Sequence, residues 1–172
     1  MTDVRQQVRE HVRDNPGVHF NALTRNLDVA TGQAQYHLHR LGRQDAVVAE
    51  RIRGRTHYFT PEYDAWERRT LALYRRETAG EILTLLIDEG RLPAATLADR
   101  LDLARSTVSW QLDSLSAAGI VETSRGDRGR IEVTLARPDG TDRLVRVVSP
   151  PIAGWPAAHA DGVGYGVADA DD

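Results

Sequence analysis

The chain has 172 residues, enough for one ordinary domain or two small ones, and its 41% hydrophobic and 27% charged residues suit a globular protein. Without cysteine it holds no disulfide, thiolate zinc site, iron–sulfur cluster or thiol redox switch. A formal net charge of −3 does not advertise a polyanion partner, yet it conceals a split: residues 1–60 carry nine arginines against six acids, and residues 61–90 four against seven.

In chain order, Val4, Val8 and Val12 recur at helical spacing and predict a first helix, closed by a Pro16-Gly17 turn. A short second helix keeps Leu23 and Leu27 on its inner side. Leu27-Asp28-Val29-Ala30 follows as a turn, because aspartate tolerates turn backbone angles. A third helix is predicted over 31–43. The period then changes from helical to extended: 47–53 predicts a strand, Gly54 a turn, and 55–59 the returning strand.

Residues 61–77 predict a further helix opening at Pro61-Glu62, since proline suits a first turn. Tyr63, Trp66, Leu73 and Tyr74 mark one stripe of it, and Arg68, Arg69, Arg75 and Arg76 form two basic pairs. Thr78 and Glu81 stand in the S/T-x-x-E relation of a capping box and are expected to start the next helix. That helix carries Ile82, Leu83, Leu85 and Leu86 and ends at Glu89-Gly90. A second short helix with Leu97 and Leu101, the turn Leu101-Asp102-Leu103-Ala104 and a third helix over 105–118 come next. A longer hairpin is predicted from 120–124 and 130–135 around Arg125-Gly126-Asp127-Arg128-Gly129. Pro138-Asp139-Gly140 reads as a turn and 144–148 as a third strand. Residues 149–172 are rich in Pro, Gly and Ala and are expected to be largely disordered, with Trp155 able to dock on a neighbouring helix.

The two halves are copies. A shift of 74 positions brings Leu23, Leu27, Asp28, Ala30, Leu38 and Leu41 onto Leu97, Leu101, Asp102, Ala104, Leu112 and Leu115 without a gap. Tyr36 falls on Trp110, Val47 on Val121 and Arg51 on Arg125. The expected fold is α+β and mainly helical: two winged-helix domains, 1–60 and 78–148, each of three helices and a β-hairpin wing. The helical linker 61–77 joins them, and 149–172 forms a tail.

The strings Leu27-Asp28-Val29-Ala30-Thr31-Gly32-Gln33-Ala34-Gln35-Tyr36-His37-Leu38 and Leu101-Asp102-Leu103-Ala104-Arg105-Ser106-Thr107-Val108-Ser109-Trp110-Gln111-Leu112 resemble winged helix-turn-helix regulators of the ArsR/MarR type. The second is close to that family's L-x-x-S-x-S-T-V-S-x-H-L, with Ala104 for the capping serine and Gln111 for the histidine. The first keeps His37 but has Gly32-Gln33-Ala34-Gln35 where Ser-Thr-Val-Ser is typical. The resemblance implies a transcription regulator that binds double-stranded DNA as a homodimer, with the helix after the first wing dimerising through Tyr63, Trp66, Leu73 and Tyr74; the alternative for this helix is a connector that packs only inside its own chain. All 22 basic residues are arginine and none is lysine, a composition that resembles haloarchaeal proteins.

On the first copy's third helix, Ala34, Leu38 and Leu41 share the core side, while Gly32, Gln33, Tyr36, His39, Arg40 and Arg43 face outward. No acid occurs from Ala30 to Gln44. An amide and arginines there suit base-edge and phosphate contact in a major groove, so Thr31, Gln33, Tyr36, Arg40 and Arg43 are expected to bind DNA. The second copy's core side is Val108, Leu112 and Leu115; Arg105, Ser106, Thr107, Ser109 and Trp110 are its DNA-facing candidates, with Asp113 opposing phosphate. The wings add Arg51, Arg53 and Arg55 in one copy and Arg125, Arg128 and Arg130 in the other. The first copy is therefore expected to be the stronger DNA reader. Trp110 has a second reading, as an aromatic packed on the neighbouring domain.

His37 and His39, two positions apart on a helix, cannot jointly grip a metal, and no P-loop, nucleophile elbow or paired-carboxylate motif is present. No enzyme activity, metal or cofactor is expected. A small-molecule effector stays open as a further partner, although no residue marks its pocket. No run approaches the ~20 apolar residues that span a bilayer, and the first five residues lack a signal-peptide stretch, so a cytoplasmic location and no membrane partner are expected. The competing function is a tandem winged-helix scaffold for protein interaction without sequence-specific DNA binding, which the acids of 61–90 and Asp113 favour.

Overall fold

The computed structural model of the chain describes residues 3–148. The expectations for 149–172, including docking of Trp155, lie outside the described residues. The first unit runs α1 (Val4–Asp14), β1 (Val18–His19), α2 (Phe20–Leu27), α3 (Thr31–Arg43), β2 (Val48–Ile52) and β3 (Arg55–Phe59). After α4 (Ala65–Tyr74) the order recurs as α5 (Glu77–Glu89), β4 (Leu92–Pro93), α6 (Ala94–Leu101), α7 (Arg105–Ala117), β5 (Val121–Arg125) and β6 (Ile131–Leu135), closed by α8 (Pro138–Val148). The bounds of β1, α2 and α3 each recur 74 positions later as β4, α6 and α7. Both sheets are antiparallel and three-stranded, in the orders β1-β3-β2 and β4-β6-β5.

The helix-turn-helix corner has one cause in both units. Asp28 and Asp102 end α2 and α6 in the left-handed region, at φ 51° and 54°. A short polar side chain pays little for that conformation and redirects the chain into the third helix. That helix starts behind Ala30 or Ala104, neither of which makes a side-chain cap bond. In the first unit Val8, Val12, Leu23, Ala34, Leu38 and Leu41 form the core. In the second, Ile82, Leu83, Leu86, Leu97, Val108, Leu112 and Leu115 do the same, with α4 and α8 added through Leu71, Leu73 and Leu144. Ile52 and Phe59 from the first unit's hairpin belong to this second core. The units are thus fused through β2, β3 and α4.

Three local expectations are corrected. The helix predicted to open at Pro61-Glu62 opens at Ala65 and ends at Tyr74. Asp64 accepts from the Glu67 amide at 2.8 Å while the Glu67 carboxylate accepts from the Asp64 amide at 3.0 Å, and this reciprocal cap outcompetes proline's first-turn preference. The same backbone hydrogen bond holds the Asp64 carboxyl below its ordinary range. The Thr78/Glu81 capping box does not form: α5 starts earlier, at Glu77, behind Arg76, with no side-chain cap. Gly80 sits so close to the Tyr74 carbonyl that a Cβ there would lie 2.5 Å from its oxygen, and this tight α4–α5 corner fixes the helix start. Finally, the Pro138-Asp139-Gly140 turn and the 144–148 strand are one helix, α8. Its Thr141 and Leu144 are buried three residues apart, as a helix face requires. The third strand of that sheet is β4, paired through Leu92 and Val133, which already occupies the free side of β6.

Candidate nucleic-acid interface

In the first unit, Gln33, Tyr36, Arg40 and Arg43 lie on the exposed side of α3, away from buried Ala34, Leu38 and Leu41, whereas Thr31 is exposed at the helix start, on the same side as Leu38. Tyr36 is 55% exposed. One turn on, the Arg40 guanidinium donates to the Tyr36 hydroxyl at 2.9 Å and lies 5.7 Å from the ring centroid, so the two side chains are held as a pair on the surface. His37, beside them, is half-buried and meets the Tyr36 ring edge-on at 5.2 Å. The face so formed is polar, aromatic and cationic.

The first unit's hairpin turns on Arg53-Gly54, both with positive φ (48° and 83°). These angles suit the two-residue turn that matches strand twist, and an arginine rarely supplies the first of them. Arg51 is exposed, whereas Arg53 and Arg55 are half-buried.

In the second unit, Arg105, Ser106, Thr107, Ser109 and Trp110 lie exposed on α7, with Asp113 also exposed. Trp110 is 58% exposed. Arg125, Arg128 and Arg130 are exposed at the tip of the second hairpin, where Asp127–Gly129 form a single tight turn and the Gly126 amide donates to the Arg130 carbonyl at 2.7 Å.

The first hairpin does not stand free of the second unit. The Arg53 guanidinium stacks 4.2 Å above the Trp110 ring, and its Nη1 donates to Gln111 Oε1 at 3.2 Å. Burial pushes its pKa below the ordinary arginine value, although the group stays charged. From the α4–α5 corner, Arg76 Nη2 donates to the Ile52 carbonyl at 2.8 Å and the Arg53 carbonyl at 3.1 Å, which anchors the turn from behind. Arg53, expected as a free wing contact, is therefore bound to α7, and Trp110 does meet the neighbouring unit. Gln111 and Arg76 were not site candidates from sequence. The only signal for Gln111 was its departure from histidine in the motif.

The stripe expected to dimerise is consumed inside the chain. Trp66 is 8% exposed, its indole N–H donating to the Gly119 carbonyl at 2.8 Å and its ring stacked under Arg137 at 4.6 Å. Leu73 is 2% exposed, and Tyr63 and Tyr74 are half-buried against the second core. The amphipathic pattern of α4 satisfies α8 and the second unit, which bury the apolar face that a partner copy would otherwise cover.

Near the start of α1 a cleft of 720 Å³ mixes Arg5, Arg9 and Arg13 with Glu10 and Asp45. Thr60 also lines it, with a buried hydroxyl that has no hydrogen-bond partner. Among the described residues no helix is long and apolar enough to cross a membrane.

Known proteins resemble this chain in both halves. Residues 2–71 match a family described as an N-terminal HTH domain, and residues 75–122 match the winged helix-turn-helix DNA-binding family. An uncharacterized HTH-type transcriptional regulator from Methanocaldococcus jannaschii is 27% identical over 125 residues, covering 72% of this chain and 31% of the relative. The chain thus spans under a third of that relative's length. Among solved structures, HlyU from Vibrio cholerae is 26% identical with a TM-score of 0.42, covering 49% of this chain and 90% of its own.

Proposed function

We propose that this chain, a tandem winged helix-turn-helix protein of the DNA-binding regulator kind, is a cytoplasmic, sequence-specific transcription regulator that works as a homodimer. The units 1–60 and 78–148, joined by 61–77, divide the work: α3 reads base edges and α7 assists. The observation that carries this reading is the exposed face of α3, where Gln33, Tyr36, Arg40 and Arg43 stand together with no acid from Ala30 to Gln44. In a major groove such a face offers an amide to a base edge and guanidinium groups to the phosphates.

Homodimerisation requires a surface other than the α4 stripe. Ile131 of β6 and Val147 of α8 are the large aliphatic side chains exposed among the described residues. A two-fold dimer would match an inverted repeat in the DNA.

The test is selection from a randomised duplex pool with the whole chain, followed by binding of the enriched sequence over a range of salt. A consensus with inverted half-sites, and affinity that falls steeply with salt, is the expected outcome. A pool that stays random overturns sequence-specific reading and leaves the scaffold function, which the bound state of Trp110 and the exposed Asp113 favour. A monomer by light scattering, with and without the selected duplex, overturns the homodimer alone.

A further inference from the structure

The outer face of α7 is poorly equipped to hold a duplex by itself. Arg105 is its one basic residue and Asp113 cancels that charge. A helix laid in a groove needs cationic groups on its flanks to meet the phosphate walls. In this chain a cation on that flank arrives from another domain: Arg53 of the first hairpin lies on Trp110 and Gln111, at the middle of α7.

The arrangement is built to hold. Arg53 occupies a left-handed backbone position, φ 48°, that a bulky side chain disfavours. Its own carbonyl and that of Ile52 accept from Arg76, and Ile52 is buried in the second unit's core. The hairpin tip is thereby seated on the second unit, not on the first. Stacking leaves Trp110 58% exposed, so Arg53 fixes the ring without hiding it. Gln111 binds one arm of the guanidinium fork; the other arm can donate to a phosphate oxygen. The N-terminal half of α7, with Arg105, Ser106, Thr107 and Ser109, is exposed ahead of this contact, where a recognition helix meets base edges.

We infer that Arg53, although carried by the first unit, is a working part of the second unit's DNA face. It positions Trp110 for contact with base edges and supplies the phosphate contact that α7 lacks. The first hairpin and the second recognition helix then engage one stretch of duplex as a single surface. This inference rests on the reading of both units as DNA-binding.

The experiment uses the whole chain and a randomised duplex pool, with selection and salt-titrated binding for wild type, Arg53→Ala, Arg53→Lys, Trp110→Ala and the double variant Arg53→Ala/Trp110→Ala. Arg51→Ala is the control on the same hairpin, and thermal melts followed by circular dichroism check folding. Arg53→Ala and Trp110→Ala should lose preference at the same base pairs, with the double variant no worse than the poorer single. Arg53→Ala should also weaken binding about tenfold near 0.1 M salt and lower the salt slope by about one unit. Arg53→Lys, which keeps the charge but not the planar fork, should restore the slope without restoring the base preference. It also serves as the test if Arg53→Ala does not fold. Arg51→Ala should weaken all sequences evenly. An Arg53→Ala protein whose losses are even across sequences and additive with Trp110→Ala overturns the proposal. So does one that binds tighter, because Arg53 would then be a cover over α7. Wild type that enriches nothing overturns the sequence-specific DNA reading together with this inference, a pattern distinct from a wild type that selects a consensus which Arg53→Ala leaves unchanged.

Discussion

Helices α3 and α7 have equal length, start 74 positions apart and bury matching triads, Ala34-Leu38-Leu41 and Val108-Leu112-Leu115. Their outer faces share little. One carries Gln33, Arg40 and Arg43; the other carries Ser106, Thr107 and Asp113, and is touched by a side chain from the first unit. Burial constrains the triads because each must fill a close-packed core, whereas outward positions answer only to solvent or a ligand. A duplicated scaffold can therefore keep its fold while its two surfaces take different tasks. The cores differ as well: the first unit closes on its own helices, and the second recruits α4, α8 and two residues of the first hairpin.

The largest expected effect tests that asymmetry of cores. Trp66→Ala removes a buried indole, its bond to the Gly119 carbonyl and the ring that fills the space beside Gly140. It should cost about 3–5 kcal/mol, within the range for truncating a large core aromatic. Denaturant unfolding should show the second unit failing first, with amide exchange accelerated in α7 before α3. Equal acceleration in both would mean that the two units melt as one body.

Acid should single out the first unit instead. His57 is 1% exposed; its Nδ1–H donates to the Gly17 carbonyl at 2.7 Å, and burial lowers its pKa to about 4. The folded value lies below that of the unfolded chain, so the unfolded state takes up the proton first as the pH falls. The stabilisation is complete above about pH 6.5, fades as the pH drops toward 4, and amounts to at most about 3 kcal/mol. Unfolding followed against pH should show this slope in wild type and a flatter one in His57→Gln. A slope unchanged by that substitution assigns the acid sensitivity to another group.

Specificity sharpens the comparison of surfaces. Gln33→Ala should erase preference at one base pair per half-site, a discrimination of about 1–3 kcal/mol, because its amide can pair with both edge atoms of an adenine. An unchanged consensus in a randomised-site selection removes Gln33 from the reading face.

Smaller still are the phosphate contacts. Arg40→Ala and Arg43→Ala should each lower the salt slope by about one unit, and more than Arg105→Ala does. Arg40 carries an added effect, since its loss also frees the Tyr36 hydroxyl. If Arg105→Ala proves the more damaging, α7 is the main reader and the ranking of the two faces reverses.

The repeat, the two aspartate corners and the buried triads were legible because each depends on residues close in sequence. Helical spacing, an αL-tolerant side chain and the switch to alternation all act within one turn or one hairpin. Harder cases were those where two local signals competed. Pro61 and Asp64 both suit a helix start, and the reciprocal bonds between Asp64 and Glu67 decide between them. The run 144–148 argued for a strand, but β4 already flanks β6, and α8, with Thr141 and Leu144 buried, finds a helical seat against α4 and α5.

By itself, the sequence determined which residues form the paired helices, which side of each goes inward, and which arginines and amides are left outside. Those outcomes follow from periodicity, a property of a single segment. Only the tertiary structure decided that the apolar stripe of α4 closes onto its own chain, that Gly80 sets the start of α5, and that Arg53 rests on Trp110 instead of standing free. The first and last of these join residues distant in sequence, and the second depends on how closely α4 and α5 pack at their corner. An amphipathic stripe or an unpaired guanidinium specifies that a partner is needed without specifying which, and the partner is chosen by the surface that the rest of the fold brings within reach.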